Sequence, residues 1–544
     1  MRTTSTSSHD RHAARQTLRQ ARTTLEVYDA EIQRRLDALK GLVEERNKAI
    51  RVIEECQQRL ATIHSLPPEV MLNVFSLSCC ENWLDPKNIC PSIALSAVCA
   101  TWRDIILSTP SLWTSIGVTF TYPSWPLELL PLLRHQIQLF TVRSHTALLS
   151  VSLVFDSVNT HTPSSGGHRF PDMKSAWNIL ASSSHRWHNL SVHVDKNSFL
   201  SKPFFRLIAG RLDSLKHLSL TADLEARVAV DMDLFEVCPS LDTVVLSYLC
   251  PELLILPYSQ IYCLTIQNCT IGEDFVSLFP NVERLVLEDT NSPYEPDEPE
   301  RQLYCSSKVR SLSIVAGFNW DDEEECNFFN VFRTFTLGGL SSLEIADFKS
   351  NKLEGWDTFD DVAVIGFLSR SNCSITHFVL KWTPISDVQA VGLVRLMPAL
   401  RSLHIEEYHY RLDGVPTNSV ITRKFLEAFT LDTRDDTEQT GFLAPSLRKL
   451  TLVLHRRGLD RQALANMLIS RRPPGYSYDA QVEDNDHLSS VVIGFIGPGE
   501  VDTAIIRCFD EIGLQPRSFN ISMERVPHSS EVWGTPTIPS EMTG

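Results

Sequence analysis

The sequence lacks long apolar stretches and has few glycines. No uninterrupted apolar run approaches the roughly 18 residues that a transmembrane helix needs. Only 22 glycines and 29 prolines occur in 544 residues, which excludes collagen and a wholly disordered chain. The polar first ten residues are not followed by the apolar segment of a signal peptide. These absences predict a protein of the cytoplasm or nucleus with no membrane partner.

Excess basic charge and paired cysteines are also missing. The chain carries 50 Lys and Arg against 66 Asp and Glu, a net charge of −16, which argues against a nucleic-acid partner. Its 13 cysteines are odd in number and contain no C-x-x-C pair. This pattern predicts reduced thiols and no native disulfide.

Motifs of enzymes and metal sites are incomplete. The segment 494–502 resembles a dinucleotide-binding loop, but Asp502 stands where close helix packing requires a small residue. His404 and His409 flank two glutamates without forming H-E-x-x-H. No G-x-S-x-G or Walker loop occurs. The sequence therefore predicts no catalytic residue, no metal ligand and no cofactor.

The N-terminal part has a heptad pattern. Residues 1–14 are polar and are predicted to be disordered. Residues 15–63 are predicted to form a long amphipathic helix with coiled-coil potential, because apolar residues recur every seven positions and only Arg46 breaks the grid: Leu18, Leu25, Ile32, Leu39, Ile53 and Leu60. Two interpretations stay open, packing against the rest of the chain and self-association.

A compact helical region is predicted at 64–112. Pro67 and Pro68 suit a first helical turn, and Glu69 suits the positive end of the helix dipole. A second helix carries apolar residues at spacings of three or four, and Pro110 lies just beyond it.

Short strands with the pattern apolar-x-apolar recur through 113–522. Several are preceded by Pro-x, and at Pro239, Pro280 and Pro398 the proline ends a short helical pattern. The anchors from Leu215 to Val309 are spaced by 26, 20, 21 and 27 residues, near the 20–29 of leucine-rich repeats, whereas later spacings are longer. We predict an irregular α/β solenoid of degenerate leucine-rich repeats and a flexible tail at 523–544. The alternative is an ordinary α/β domain with several parallel strands.

Acidic charge is concentrated between Glu283 and Asp361. This stretch contains 18 acidic and 7 basic residues, with dense clusters at 295–300 and 321–325. A solvated loop and a surface for a basic partner are both compatible with such a pattern.

Two motifs carry a resemblance to a known family. Leu66-Pro67-Pro68-Glu69-Val70, followed by Val98-Cys99-Ala100-Thr101-Trp102-Arg103, resembles an F-box, and Pro110-Ser111-Leu112-Trp113 continues as in fungal F-box-like proteins with repeats. The segment from Cys79 to Pro91 is longer than in the common motif and is predicted to be a loop.

The resemblance implies a non-catalytic α+β multidomain protein that serves as the substrate receptor of a cullin-based ubiquitin ligase. The F-box would dock on a Skp1-like adaptor, and through it on a cullin, while the repeats would hold a protein substrate for ubiquitin-dependent degradation. The adaptor-binding residues implied are Leu66, Pro67, Pro68, Glu69, Val70, Leu72, Val74, Phe75, Val98, Cys99 and Trp102.

The apolar residues of this region have two interpretations. The apolar residues on the first F-box helix would form an exposed patch that needs a partner, or they would only build a small helical core. A separate alternative for the whole protein is a non-catalytic scaffold that acts through its long helix and repeats without joining a ligase.

Overall fold

The structure, a computed structural model, describes most of the chain. The described residues are 8–60, 66–85, 89–120, 127–155, 170–194, 205–222, 233–269, 271, 275–290, 304–316, 329–347, 359–407, 420–431, 443–455, 459–471, 488–496 and 520–526. The chain divides into two compact units, 1–78 and 79–544. Both acidic clusters, the segment 497–502 and His409 lie outside the described residues.

The described part of the first unit consists of two helices. Helix α1 spans Ser8–Leu60, and helix α2 spans Pro68–Ser78. Helix α1 confirms the predicted long helix but begins within the segment that was predicted to be disordered. Residues 8–14 contain neither proline nor glycine, so nothing in them interrupts helix propagation. Exposed ion pairs three or four residues apart support α1, such as Lys48 Nζ to Glu45 at 2.7 Å.

The second unit is built on parallel strands. In chain order its described strands are β1 (Trp83–Leu84), β2 (Ser115–Thr119), β3 (Leu149–Phe155), β4 (Trp187–Val194), β5 (His217–Ala222), β6 (Thr243–Ser247), β7 (Cys263–Gln267), β8 (Arg284–Glu288), β9 (Tyr304–Cys305), β10 (Ser311–Ala316), β11 (Phe335–Thr336), β12 (Ser342–Asp347), β13 (His377–Lys381), β14 (Ser402–Glu406), β15 (Lys449–His455), β16 (Ser490–Ile496) and β17 (Asn520–Val526).

Helices and 3-10 turns connect these strands. The α-helices are α3 (Pro91–Ser96), α4 (Ala100–Ser108), α5 (Leu130–Arg143), α6 (Phe170–Ser182), α7 (Phe275–Leu278), α8 (Phe329–Thr334), α9 (Asp361–Ser371), α10 (Asp387–Arg395), α11 (Arg423–Ala428) and α12 (Arg461–Ser470). Pro280 follows α7 and Pro398 follows α10, as predicted. Pro239 follows a turn instead of a helix.

The strand order identifies the architecture. Strands β9 and β11 pair with each other, and the other fifteen described strands form one parallel sheet in which each strand lies beside its neighbours in the chain. A doubly wound α/β domain reverses its strand order at a switch point, and this sheet does not. The second unit is therefore a leucine-rich-repeat-like solenoid, as predicted.

Two columns of buried apolar side chains run across the strands. From β5 to β16, the pairing registers of the long sheet place the first buried apolar residue of each strand beside the first of the next strand, and likewise the second. The first column contains Ile116, Val151, Leu190, Leu218, Val244, Leu264, Leu285, Leu312, Leu343, Phe378, Leu403, Leu450 and Val491, all buried. Each strand thus buries the apolar face of its neighbours.

Recurring backbone geometry also marks the repeats. At the residue just before many strands, one carbonyl accepts two N–H bonds from the next repeat, as Tyr262 does from Glu283 at 2.9 Å and Arg284 at 3.0 Å. Just after four strands the backbone turns left-handed, at Tyr248, Asn268, Asp289 and Trp382. The repeat is therefore more regular in backbone than in sequence.

Arginines at helix ends tie successive repeats together. Arg471 is buried and donates from Nε to the Phe429 carbonyl at 2.7 Å, and from its terminal nitrogens to the carbonyls of Ala444 and Leu443 at 2.9 and 2.6 Å. Arg186 donates similarly to the Ala147 carbonyl at 2.7 Å. These bonds satisfy the Phe429 carbonyl at the end of α11 and carbonyls in the turns between helices and strands.

The predicted domain boundaries differ from those of the structure. Strand β1 lies within the region predicted as a purely helical domain, 64–112, so the sheet begins before residue 113. Strand β17 crosses the predicted start of the tail at 523. In both places a short segment gains hydrogen bonds by pairing with an existing strand edge, which apolar periodicity does not reveal.

Candidate functional site

Helix α2 carries most of the predicted adaptor-binding residues. It begins at Pro68, and the N–H groups of Val70 and Met71 donate to the Pro67 carbonyl at 3.0 and 3.1 Å, so the two prolines set its first turn as predicted. Pro67, Pro68 and Glu69 are exposed. The Glu69 carboxylate lies in the first turn, where the helix dipole favours negative charge.

One face of α2 exposes apolar side chains. Leu66, Val70 and Val74 follow at intervals of four residues, and Val74 is 48% exposed. Leu77 continues this face and is also exposed. We did not predict Leu77 as a site residue, although its position seven residues after Val70 was a sufficient signal. Leu66, Val70, Val74 and Leu77 are called the α2 apolar face below.

Phe75 corrects the predicted patch. Its side chain is only 1% exposed, so it belongs to the core and not to the exposed patch that was predicted for the apolar residues of this helix. Met71, four residues earlier, is buried as well, and Leu72 is half-buried. The helix therefore has a buried apolar face and an exposed apolar face. The helical-core interpretation describes the buried face, and the exposed-patch interpretation describes the exposed one.

The remaining predicted residues lie in the second unit, at the start of α4. Val98 is exposed, and Trp102 is half-buried in the first turn. Cys99 is the N-cap, and its Sγ accepts from the Trp102 backbone N–H at 3.5 Å. This hydrogen bond caps α4 and positions Trp102 within its first turn.

A buried amide organises the segment that was predicted to be a loop. Asn82 is fully buried, and its Nδ2 donates to the carbonyls of Cys79 at 3.1 Å and Leu112 at 3.3 Å. Its Oδ1 accepts from the Ser92 hydroxyl at 3.0 Å, and that hydroxyl also lies 2.7 Å from the Leu112 carbonyl. Sequence reasoning missed this cluster because a lone asparagine in a polar segment is typical of a loop.

The same segment starts the sheet. Trp83 of β1 lies opposite Gly117 of β2, and a Cβ atom at position 117 would lie 2.7 Å from the indole ring of Trp83. Close approach of the two strands thus requires glycine there. Trp113, which precedes β2 in the chain, donates from Nε1 to the Ile106 carbonyl at 2.8 Å. This bond joins the end of α4 to the start of the first full strand. The helices 91–108 and the first repeat of the sheet form one packed structure.

The outward-facing residues of the central strands form a second candidate surface. Glu344 on β12 accepts from Lys381 Nζ at 2.7 Å and from the Ser313 hydroxyl at 3.2 Å. Glu406 on β14 lies opposite Lys381 in the register, and His404 Nε2 is 3.9 Å from its carboxylate. These side chains make a polar, charged row across β10 to β14, which we call the outward polar row.

Burial affects the histidine of this row. Desolvation, reinforced by the nearby Lys381 ammonium, lowers the pKa of His404 below its usual value, against the opposing effect of Glu406 and Glu344. His404 is therefore neutral at pH 7 and offers a hydrogen bond, while the charges of the row belong to Lys381 and the two glutamates.

The ten cysteines whose side chains the structure describes are not joined by disulfide bonds. Cys250, between β6 and β7, has a pKa lowered to about 7 because it accepts a hydrogen bond from the Cys269 thiol. Burial raises the pKa of Cys238 to about 12. Cys269 also contacts the Leu249 carbonyl at 3.7 Å, so it joins adjacent repeats without a covalent bond.

Membrane-spanning helices and clusters of metal ligands are absent from the described residues. Among these residues, no helix is both long and apolar enough to cross a lipid bilayer. Nor do the described ranges contain three or more His, Cys, Asp or Glu side chains placed to hold a metal ion.

Comparison with known proteins identifies the region that contains α2 to β2. A family model described as F-box-like matches residues 63–119, which confirms the F-box-like prediction and extends it past 112 into the first full strand. The chain thus has an F-box-like domain at 63–119, followed by the long parallel sheet. No curated protein matches the chain. The resemblance to the fungal group has no support from these comparisons and stays a prediction.

Proposed function

We propose that this protein is the substrate-recognition subunit of a Skp1–cullin–F-box type ubiquitin ligase. The observation that carries the proposal is the F-box-like match at 63–119, within which α2 exposes an apolar face. Exposed apolar side chains at helical spacing are typical of a helix that docks into a partner's groove. On this proposal Leu66, Val70 and Val74 contact a Skp1-like adaptor, and the adaptor contacts a cullin.

The other predicted site residues have supporting roles in this proposal. Pro67, Pro68 and Glu69 aim α2, and Val98 and Trp102 are proposed by themselves as adaptor contacts at the start of α4. Phe75 and Leu72 hold α2 in its fold, because Phe75 is buried and Leu72 half-buried. Cys99 stabilises the start of α4 as its N-cap residue.

The chain's contribution to the reaction is proximity. Holding a substrate near a catalytic subunit converts a bimolecular encounter into an effectively intramolecular one. Ubiquitin transfer itself would be performed by other subunits, so we propose a non-catalytic role that leads to ubiquitin-dependent degradation in the cytoplasm or nucleus.

The outward polar row is the surface that we propose for the protein substrate. It presents fixed charges of both signs on a rigid sheet, and rigid polar groups select partners by charge complementarity. A matching substrate segment would carry a basic group toward Glu344 or Glu406, since the two carboxylates outnumber the single ammonium of Lys381.

Pull-down of a Skp1-like adaptor tests the proposal. We expect Leu66→Ala with Pro67→Ala to remove an anchor and the turn that aims it, which typically costs about 2 kcal/mol, roughly thirtyfold in affinity. Val70→Asp with Val74→Asp should abolish binding, because it places two charges on the apolar face. Circular dichroism shows that each variant is folded.

The matched control is Val388→Ala, an exposed valine on α10. It should bind the adaptor as the wild type does. Trp102→Ala is a poorer probe, because Trp102 is half-buried and its loss also destabilises the fold. If the wild type never retains the adaptor, or the folded double variants retain it equally well, the ligase proposal is wrong and the scaffold alternative replaces it.

A further inference from the structure

The exposed apolar face of α1 is the surface from which we draw a further inference. Leu25 and Ile32 are 59% and 56% exposed, and the remaining heptad residues from Leu18 to Ile53 are exposed or half-buried. In heptad terms, Leu18, Leu25, Ile32, Leu39 and Ile53 occupy position d, and Leu36, Val43 and Ile50 occupy position a. Such a face in a 53-residue helix is typical of a coiled-coil strand.

Three charged residues interrupt this apolar face. Arg22 and Asp29 stand at a positions and Arg46 at a d position, and all three are exposed. In a parallel, in-register pair of helices, each of these residues would face its own copy, Asp29 against Asp29 and Arg46 against Arg46. Like charges in facing positions are destabilising, so the sequence opposes the parallel arrangement.

An antiparallel pair of helices brings opposite charges together instead of like charges. In antiparallel coiled coils a positions face d positions of the partner. When Leu36 is set against Leu39 of a second copy, the same register sets Val43 against Ile32, and Ile50 against Leu25. It also sets Asp29 of each copy against Arg46 of the other.

Neighbouring registers lose this match. A shift of one heptad in one direction places Arg22 against Arg46, and a shift in the other direction places Leu36 against Arg46. Of these three registers, only the one centred between residues 37 and 38 pairs Asp29 with Arg46 and places apolar residues opposite each other in the layers next to them, while Arg22 then faces Ile53. A polar layer of this kind typically specifies register and orientation in coiled coils.

We propose that α1 binds α1 of a second copy of this chain as an antiparallel coiled coil, in the register that places Asp29 opposite Arg46. The symmetric pair contains this ion pair twice. It also contains each of the three apolar layers twice. The inference concerns α1 alone and is independent of adaptor binding.

Charge exchange in the full-length protein tests orientation and register together. We expect sedimentation equilibrium to show a wild-type dimer. Arg46→Asp places like charges in both polar layers and should weaken the dimer by at least about tenfold. Asp29→Arg combined with Arg46→Asp restores opposite charges and should return the affinity to within a few-fold of the wild type.

A matched control uses another arginine of the same helix. Arg51→Asp makes the same charge change at an exposed b position, away from the a and d face, and should leave dimerisation unchanged. Circular dichroism confirms helicity of each variant. Adaptor pull-down should be the same for all of them, so failure here and failure of the ligase proposal give different results.

Spin-label distances provide a second measurement. Gln20 lies at an outward f position, so a label attached there through a bioorthogonal side chain does not disturb the interface. In the proposed dimer the two labels are separated along the axis by roughly 50 Å, at 1.5 Å per residue. A monomeric wild type, a double variant no stronger than Arg46→Asp, or a short distance between the labels would each overturn the proposal.

Discussion

The two units of the protein differ in whether a leucine of a regular apolar pattern is exposed or buried. Leu25 on α1 is 59% exposed, whereas Leu343 on β12 is fully buried. Both lie in regular apolar patterns, with a period of seven residues in one case and of two in the other. In the solenoid, the strands on each side cover Leu343, because Leu312 and Phe378 are its partners in the register. A repeat buries its leucines through its own neighbours, whereas the heptad helix leaves them exposed.

The largest expected effect separates these two leucines directly. Leu343→Ala should destabilise the second unit by about 3 kcal/mol, because it leaves a cavity between packed strands. Leu25→Ala, the matched substitution, should change stability by less than about 0.5 kcal/mol at concentrations where the protein is monomeric. Urea unfolding followed by circular dichroism measures both. Equal effects of the two substitutions would show that burial does not distinguish the two regions.

A second comparison concerns arginines. Arg471→Ala removes three hydrogen bonds to buried carbonyls and should cost about 2 kcal/mol in unfolding free energy. Arg395→Ala, at an exposed site in the last turn of α10, should cost nearly nothing. Thermal unfolding of the two variants side by side tests this. A stable Arg471→Ala variant would mean that water replaces the guanidinium at those carbonyls.

Within the solenoid, we expect the smallest of these effects from a comparison of two cysteine thiols by chemical labelling. With a pKa of about 7, Cys250 should react with iodoacetamide at neutral pH, and its rate should rise as the pH increases through 7 and more thiolate forms. Cys238, with a pKa raised to about 12, should react only after unfolding. Mass spectrometry of the labelled peptides compares the two. Labelling of Cys238 in the folded protein would show that the repeat opens at this position.

Some parts of the fold were predictable from the sequence. The Pro67–Pro68–Glu69 segment predicted the start of α2, since these residues each favour a first helical turn. The apolar-x-apolar pattern predicted the strands, because alternation along a strand directs these side chains to one face. The heptad grid predicted α1, although its start at Ser8 was missed.

Other features were not predictable, because they depend on partners distant in the chain. Phe75 and Val74 are adjacent apolar residues, and only the structure shows that one is buried and the other exposed. Asn82 was assigned to a loop, since nothing local indicates that its amide bonds to Leu112, thirty residues later. For the predicted adaptor-binding residues on α2, the sequence located the helix but not the face on which each one lies.

The sequence by itself determined the periods of this protein, seven residues in α1 and two in each strand, because these follow from the spacing of apolar side chains along one segment. Tertiary structure alone decided which apolar faces are covered. Strand pairing joined repeats of unequal length into one register, as at Leu285 and Leu312, and carbonyls such as that of Tyr262 accept from the next repeat whatever the length of the loop between them. The physical reason is that hydrogen bonding and burial depend on distance in space, which spacing in the chain does not specify.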